Sequence, residues 1–455
     1  MADRPSSSLE RRLGPYDAAA IIVSNVIGGG ILFTPPLVAA AVSNSWAFLG
    51  TWLVGGMLAF AGAMAYAELA AVRPRAGGEY VYLHAAYGRL AAFLTGWTSF
   101  VAGFSGAMAA SAVVLVFYLD RFVPGAADAT PLVTLPLPLV PLTLSRQSAL
   151  AIVTIGLMAL VHLRGVGPGR IVMNVLAVLK VTALVAFIAL GFSFGAGEVS
   201  NLQQTTGPVS GGAWLLALIP VMFTYSGWNA AAYMAEEIRN PGRNVPLALA
   251  LGTAAVIAVY FFLNLLYLYV LPVGELAGVQ GSVLDVIADR LLGARAGDIM
   301  GVVSIVSLAA SISAMTFAGP RVYYAMARDR AFFARAASVH PQYKTPAVAI
   351  VAQAVWASLL VLSGGADALV SYTGFAITLF AGMAVAAVFV LRRREPGAPR
   401  PFSAIGYPWT PGVFVLVSAL MLVNAIWMNP GPSGAGLLVM AAGIPLYLWF
   451  GRSRG

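Results

Sequence analysis

Long apolar runs separated by short polar segments make up most of this chain. Most of them exceed the roughly 20 residues that a helix needs to cross a bilayer, and they lack the alternation of barrel strands. We predict an all-α integral membrane protein with about 12 transmembrane helices. Allowing a few residues of error at each end, the predicted spans are 15–41, 46–71, 89–119, 147–163, 168–193, 211–237, 244–271, 297–327, 346–363, 367–391, 411–428 and 434–450.

Two of these spans contain residues that interrupt a helix. The first has Gly28–Gly30 followed by two prolines, and the sixth has Pro220 followed by Phe223–Asn229. Each break has a simpler explanation when it is considered alone. The glycines could allow two helices to pack closely, and Pro220 could merely kink its helix. Inside a membrane, opened backbone is tolerated where it is buried in protein or lines a cavity. Two breaks at corresponding places therefore favour a binding site.

Five spans separate the two breaks, so the second unit is inverted relative to the first. Paired broken helices in inverted repeats are typical of secondary transporters. We predict a first repeat at 15–193, a second at 211–391, two additional spans within 407–450, and terminal tails at 1–14 and 451–455.

The ends of half-helices offer two opposite poles. Free amides at the start of the second half of span one favour a carboxylate, whereas free carbonyls before the break in span six favour an ammonium group. Together these poles describe an α-amino acid. No Lys-Ser/Thr pair follows Gly28–Gly30, so this is not a phosphate-binding loop.

Charge is scarce and unevenly distributed. Hydrophobic residues make up 60% of the chain and charged residues 9%, against about 25% in soluble domains. Of the 26 Lys and Arg residues, 21 fall on the side of the N terminus and four on the other, with Lys180 inside a span. This asymmetry predicts cytoplasmic termini. It also explains the net charge of +9 without nucleic acid, and we expect a bacterial inner-membrane protein with no cleavable signal.

Several kinds of site are disfavoured by the residues present. The chain has no cysteine, and its three histidines lie in separate segments, so we expect no metal site and no cofactor. No nucleophile–base constellation suggests an enzyme. We also find no carboxylate in the middle third of a span and none near Gly28–Gly30 or Ser226, which argues against cationic side chains in the substrate.

Lys180 lies about twelve residues into span five, roughly 18 Å deep. A lysine at the centre of a span costs roughly 2.5–3.5 kcal/mol on insertion scales. It either reaches back to the interface or acts as an internal cation that affects how transport is driven. Two acidic segments, Glu68 to Glu79 around Gly77–Gly78 and Glu236–Glu237, suit a gate, an ion-pair network or a solvated loop.

These motifs resemble the amino acid–polyamine–organocation transporters, and most of all the L-type amino acid transporters and their bacterial relatives. The similar stretches cover nearly the whole chain in order: Ile27–Pro35, Glu68–Tyr80, Phe223–Asn229 with Glu236–Pro241, and Arg321–Asp329 with His340–Pro346. The resemblance implies a five-plus-five inverted-repeat fold and alternating access.

The resemblance also implies roles for individual residues. The amides of Gly29 and Gly30 would bind the substrate carboxylate, and the carbonyls of Val26, Phe223 and Ser226 its ammonium group. Lys180 would stand where sodium-coupled relatives hold an ion. The full predicted substrate site is Val26, Ile27, Gly28, Gly29, Gly30, Ile31, Phe223, Thr224, Ser226 and Asn229, with Phe223 and Trp228 as gates. Gly29 stands where serine is usual, so one hydroxyl contact is lost.

We therefore expect a sodium-independent transporter of neutral L-amino acids, working as an exchanger or with protons. Without cysteine it has no disulfide-linked heavy chain, and its partners are the amino acid substrate and the bilayer. The alternatives are an amine or polyamine antiporter, which would need carboxylates in the pocket, and a sensor that binds amino acids without moving them.

Overall fold

A computed structural model describes residues 9–137, 140–194, 197–205, 207–293, 296–364, 366–428 and 430–452. Residues 1–8 and 453–455 of the predicted tails lie outside these ranges. The helices are α1 (Pro15–Val26), α2 (Gly30–Ala41), α3 (Ser45–Val72), α4 (Glu79–Tyr87), α5 (Arg89–Thr98), α6 (Phe104–Leu119), α7 (Arg146–Leu163), α8 (Val166–Phe194), α9 (Gly211–Tyr225), α10 (Ala230–Tyr233), α11 (Pro241–Val270), α12 (Val273–Ala277), α13 (Val283–Leu292), α14 (Ala296–Arg328), α15 (Ala347–Leu362), α16 (Ala366–Arg394), α17 (Trp409–Met428), α18 (Pro430–Ala441) and α19 (Gly443–Arg452).

The described helices confirm an all-helical membrane protein. Nine helical segments in these ranges are long and apolar enough to cross a bilayer, and the bent pair α1–α2 makes a tenth. Helices α9 and α15 are apolar but shorter, with 15 and 16 residues, and they coincide with predicted spans six and nine. Each predicted span thus falls on a helix or on consecutive helices.

Both predicted interruptions are present. Helix α1 ends at Val26 and α2 begins at Gly30, with a bend of 50° between them. In span six, α9 ends at Tyr225, and the short α10 follows after four residues. A third irregularity, a π-helical turn at Ser99–Gly103, separates α5 from α6.

Packing around the breaks forms the interior of the protein. Helix α1 lies against α8, α11 and α14, while α2 lies against α9. The most apolar segment of α14 is 72% buried, whereas the corresponding segment of α17 is 28% buried. Helix α14 is therefore central, and α17 presents most of its apolar surface outward, as a lipid-facing helix does.

Two connections contain structure that the sequence analysis treated as loop. Strands β1 (Val133–Leu135) and β2 (Leu142–Leu144) form an antiparallel pair in which Val133 is opposite Leu144. Helices α12 and α13 lie between α11 and α14. The amphipathic α13 buries Val283, Leu284 and Ile287. These short elements were missed because their apolar positions are too few to resemble spans.

Candidate functional site

The two helix breaks lie against each other, although about 200 residues separate them in the chain. The side-chain amide of Asn25 donates to the carbonyl of Gly227 at 3.5 Å. From α11, the hydroxyl of Tyr260 reaches the carbonyls of Val26 at 2.8 Å and Thr224 at 3.2 Å. Tyr260 is fully buried and holds both breaks together. Sequence reasoning missed it, since a tyrosine within a continuous span has no local signal.

A cavity of about 590 Å³ opens beside both breaks. Of the predicted substrate-site residues, those that line it are Val26, Gly28, Gly29, Gly30, Phe223, Thr224 and Ser226. The side chains of Ile27 and Ile31 are buried elsewhere in the core. The cavity extends along α2 to Leu37, toward the face opposite the start of α1. We call the face where α1 begins the N-terminal face.

The polarity of the breaks suits a zwitterion. Gly29 and Gly30 stand at the start of α2, where the first amides of a helix have no acceptor within it. Within the described part of the chain, no backbone carbonyl accepts from the amides of Gly28, Gly29 or Gly30. Across the cavity, the carbonyls of Phe223 and Ser226 lie at the end of α9. Donors and acceptors thus face one cavity from two helix ends.

Glycine is required at two of these positions by close approach. Gly227 has a φ of 99°, and a Cβ there would lie 2.3 Å from the side-chain nitrogen of Asn25. A Cβ on Gly30 would lie 3.0 Å from the Cα of Thr224. At Gly29 the nearest atom would be 3.5 Å away, an ordinary contact. The breaks pack closely because side chains are missing where they meet.

Lys180 is fully buried, and its ammonium group lies at the end of α1. It donates to the carbonyls of Ser24 at 3.1 Å and Ser307 at 3.3 Å, and also to that of Ile27. The hydroxyl of Ser311 donates to the same Ser24 carbonyl at 2.9 Å. A cation at the C-terminal end of a helix is favoured by the free carbonyls there. Lys180 therefore does not reach back to the interface.

A second cavity of about 120 Å³ adjoins the first on the side of the N-terminal face. Asn25, Phe223 and Ser226 line both cavities. Trp228 and Asn229 line only the smaller one, and the Trp228 ring packs on Tyr66 with 4.8 Å between centroids.

Glu79 lines this smaller cavity together with Ser226, so the expectation that no carboxylate lies near Ser226 is wrong. Glu79 is 8% exposed. Its Oε1 accepts from the Tyr66 hydroxyl at 2.6 Å and from the Asn229 amide at 2.7 Å. The sequence places Glu79 in a loop, but the loop folds inward. Its only local signal is the preceding Gly77–Gly78 pair, with φ values of 112° and 50°.

The N-terminal face is closed by a buried ion pair. The guanidinium of Arg321 and the carboxylate of Glu237 are fully buried. Two hydrogen bonds join them, Nε to Oε1 at 2.7 Å and Nη2 to Oε2 at 2.9 Å. Next to this pair, Leu13 and Ile238 form a backbone bridge, and the Gly77 amide donates to the Tyr233 carbonyl at 3.0 Å. Of the readings open for Glu236–Glu237, the structure selects an ion-pair network.

Glu68 belongs to a second network on α16. Its carboxylate binds Arg392 at 2.6 Å, lies 3.5 Å from Arg400, and accepts from the Ala404 amide at 2.7 Å. The guanidinium of Arg392 also stacks on the Tyr407 ring, 3.7 Å from its centroid. The end of span two is therefore tied to the end of span ten.

Residues 13–450 match the sequence profile of a family described as amino acid permeases. This chain belongs to the amino acid permease family. The predicted resemblance is thereby confirmed, and the permease is a membrane transporter of amino acids and not an enzyme. The broken first helix and the all-helical architecture agree with this family.

Relatives of the permease align over nearly its full length. It is 27% identical to the serine/threonine exchanger SteT of Bacillus subtilis, covering 97% of each chain. It is 28% identical to the human large neutral amino acids transporter small subunit 2, covering 97% of the permease and 80% of the relative. It is 29% identical to the mouse b(0,+)-type amino acid transporter 1, covering 93% and 84%. The permease has no cysteine, so no disulfide can join it to a second subunit.

Proposed function

We propose that the permease carries neutral L-amino acids across the membrane by alternating access, as an exchanger or together with protons. The observation that supports this most is the single cavity between the amides of Gly28–Gly30 and the carbonyls of Phe223 and Ser226. These poles match a carboxylate and an ammonium group. The relatives named as neutral amino acid transporters and as a serine/threonine exchanger support the same substrate class.

The position of Lys180 supports transport without sodium. Its ammonium group donates to the carbonyl oxygens of Ser24, Ile27 and Ser307. Carbonyl oxygens are also the kind of ligand that a hard metal cation such as sodium would need. A fixed positive charge at this place would repel a sodium ion. We therefore propose that the permease couples its cycle to a second amino acid or to protons.

The position of Phe223 supports alternating access, because this side chain lines both cavities and stands where the two meet. We propose Phe223 and Trp228 as gates of the path, and the repeats 15–193 and 211–391 as the units that move. The bias of Lys and Arg supports cytoplasmic termini, and we propose a bacterial inner membrane as the location. In that orientation the larger cavity opens outward and the ion pair of Arg321 and Glu237 closes the cytoplasmic side.

Counterflow in proteoliposomes tests the proposal. Vesicles loaded with one of the twenty amino acids should accumulate labelled serine, leucine or glutamine, with equal rates in sodium and potassium media. Repeating the assay with and without a proton gradient separates exchange from proton coupling.

Three results would contradict the proposal in different ways. A steep sodium dependence would overturn the assignment of Lys180. Uptake of polyamines in preference to amino acids would favour the antiporter alternative, which the single carboxylate of Glu79 does not by itself support. Saturable binding without uptake or exchange would make the protein a sensor.

A further inference from the structure

Glu79 is a buried carboxylate without a cationic partner. Among the described residues, no Lys, Arg or His side chain pairs with it. Its Oε1 accepts from Tyr66 and Asn229, and its Oε2 accepts from the Thr95 hydroxyl over a long distance of 3.4 Å. The Tyr233 hydroxyl also interacts with this carboxylate. A carboxylate accepts about four hydrogen bonds in all. Because the Thr95 contact is long, Oε2 can exchange this weak hydrogen bond for a shorter one from a ligand.

Thr98 is a second polar residue of the smaller cavity whose hydrogen-bonding capacity is not filled. It is 4% exposed, and its hydroxyl finds no hydrogen-bond partner in the described ranges. Thr95 and Thr98 are three residues apart on α5, so they share one face of that helix. The π-helical turn at Ser99–Gly103 begins directly after Thr98, and such turns are frequent at functional sites.

The smaller cavity adjoins the substrate poles. Asn25 and Ser226 line it, and so do Glu79 and Thr98. A substrate whose α-groups are held at the two breaks can therefore direct its side chain past Phe223 toward Glu79. The volume of about 120 Å³ is enough for the polar end of a substrate side chain.

We infer that the smaller cavity is a side-chain subsite in which Glu79 and Thr98 recognise a neutral amide or hydroxyl at the end of the substrate side chain. An amide satisfies both residues: its N–H₂ donates to Glu79 and its carbonyl accepts from Thr98. An ammonium group has no acceptor to offer the Thr98 hydroxyl. This inference rests on the proposed function and narrows its substrate class to polar neutral amino acids such as glutamine and asparagine.

Paired ligands of similar size test the subsite. Glutamine is compared with methionine, and asparagine with leucine, by Trp fluorescence of the purified full chain and by counterflow. Wild type should bind the amide of each pair more tightly. Because one neutral hydrogen bond changes affinity by about 3- to 10-fold, Thr98→Val should lower the glutamine-to-methionine affinity ratio by that factor. Glu79→Gln should lower it in the same direction.

Matched controls remove similar groups elsewhere. Thr154→Val removes a hydroxyl on α7 that donates to the Leu150 carbonyl of the same helix, and Glu275→Gln changes an exposed carboxylate paired with Arg290. Neither should change the ratio. Because both ligands of a pair bind the same protein, a merely structural defect lowers both affinities together and leaves the ratio unchanged.

The outcomes separate this inference from the proposed function. An unchanged ratio in both Thr98→Val and Glu79→Gln, or lysine binding more tightly than glutamine, overturns the subsite while amino acid transport can stand. Amide-selective binding that both variants weaken, but without counterflow, supports the subsite and overturns transport. Absence of any amino acid binding in wild type overturns both.

Discussion

At the scale of single residues, the missing Cβ atoms of glycines decide how closely the two helix breaks approach each other. Gly30 meets Thr224 so tightly that an added methyl group must displace the second break, whereas a methyl group on Gly29 would make only an ordinary contact with Leu308 at 3.5 Å. We expect Gly30→Ala to weaken amino acid binding by about tenfold or more, since overpacking costs about 1–3 kcal/mol. Gly29→Ala, the control, should change binding by less than about threefold. Equal affinities of the two variants, measured by ligand-dependent fluorescence, would refute this view of the site.

Lys180 supplies the second prediction at this scale. Lys180→Met keeps a long unbranched side chain but loses charge-assisted hydrogen bonds to Ser24 and Ser307, each worth about 1.5–3 kcal/mol. We expect counterflow to fall at least tenfold while the protein remains folded in a thermal-unfolding assay. Val178→Ala changes an outward-facing residue of the same helix and should leave counterflow unchanged. Wild-type rates in Lys180→Met would remove the coupling role.

Contacts between elements close the N-terminal face. Arg321 of α14 and Glu237 of the segment after α10 form one ion pair here, and both side chains are fully shielded from solvent. Removing one member of such a pair costs about 3–5 kcal/mol because the other charge stays buried.

A double-variant cycle measures this coupling. Arg321→Met and Glu237→Gln should each lower the thermal stability of the detergent-purified protein, and the double variant should lose less than the sum of the two. The exposed pair of Arg290 and Glu275 is the control, since such pairs contribute about 0–1 kcal/mol. Additive losses at Arg321 and Glu237 would show that the two residues act independently.

At the scale of the whole molecule, one face is open and the other is closed. A group of charged residues, Asp285, Asp289 and Arg121, lies at α13 on the open side. There, burial raises the pKa of Asp285 to about 6, although Arg121 lowers it in part. The like charge of Asp289 adds to the rise. The native state therefore holds this proton more tightly than the unfolded chain does.

The resulting pH dependence has a definite sign. The stabilising contribution of protonated Asp285 is complete below about pH 4 and is lost as the pH rises to about 6. The wild type should therefore lose this contribution as the pH rises, whereas Asp285→Asn should not. The melting temperature of Asp285→Asn minus that of wild type should increase by about 1–2 °C from pH 4.5 to pH 7.5. Thr130 lowers the pKa of the exposed Asp128, so Asp128→Asn should show no such gain. A pH-independent difference for Asp285→Asn would contradict this account.

The spans, the two breaks and the family were determined by the sequence itself. A continuous apolar run has no stable alternative to a membrane helix, and the effects of Gly28–Gly30 and Pro220 on the backbone are local. The depth of Lys180 also follows from counting residues along one helix.

Only the tertiary structure decided the polar contacts of Glu79, Tyr260 and Arg321. Glu79 meets Asn229 across 150 positions of the chain, and Tyr260 joins carbonyls of two distant breaks. Whether a carboxylate near a span end faces water or the core depends on how Gly77–Gly78 turn the chain against Tyr233. Such long-range packing has no signature in local composition, which is why a carboxylate on the smaller cavity beside Ser226 was not foreseen.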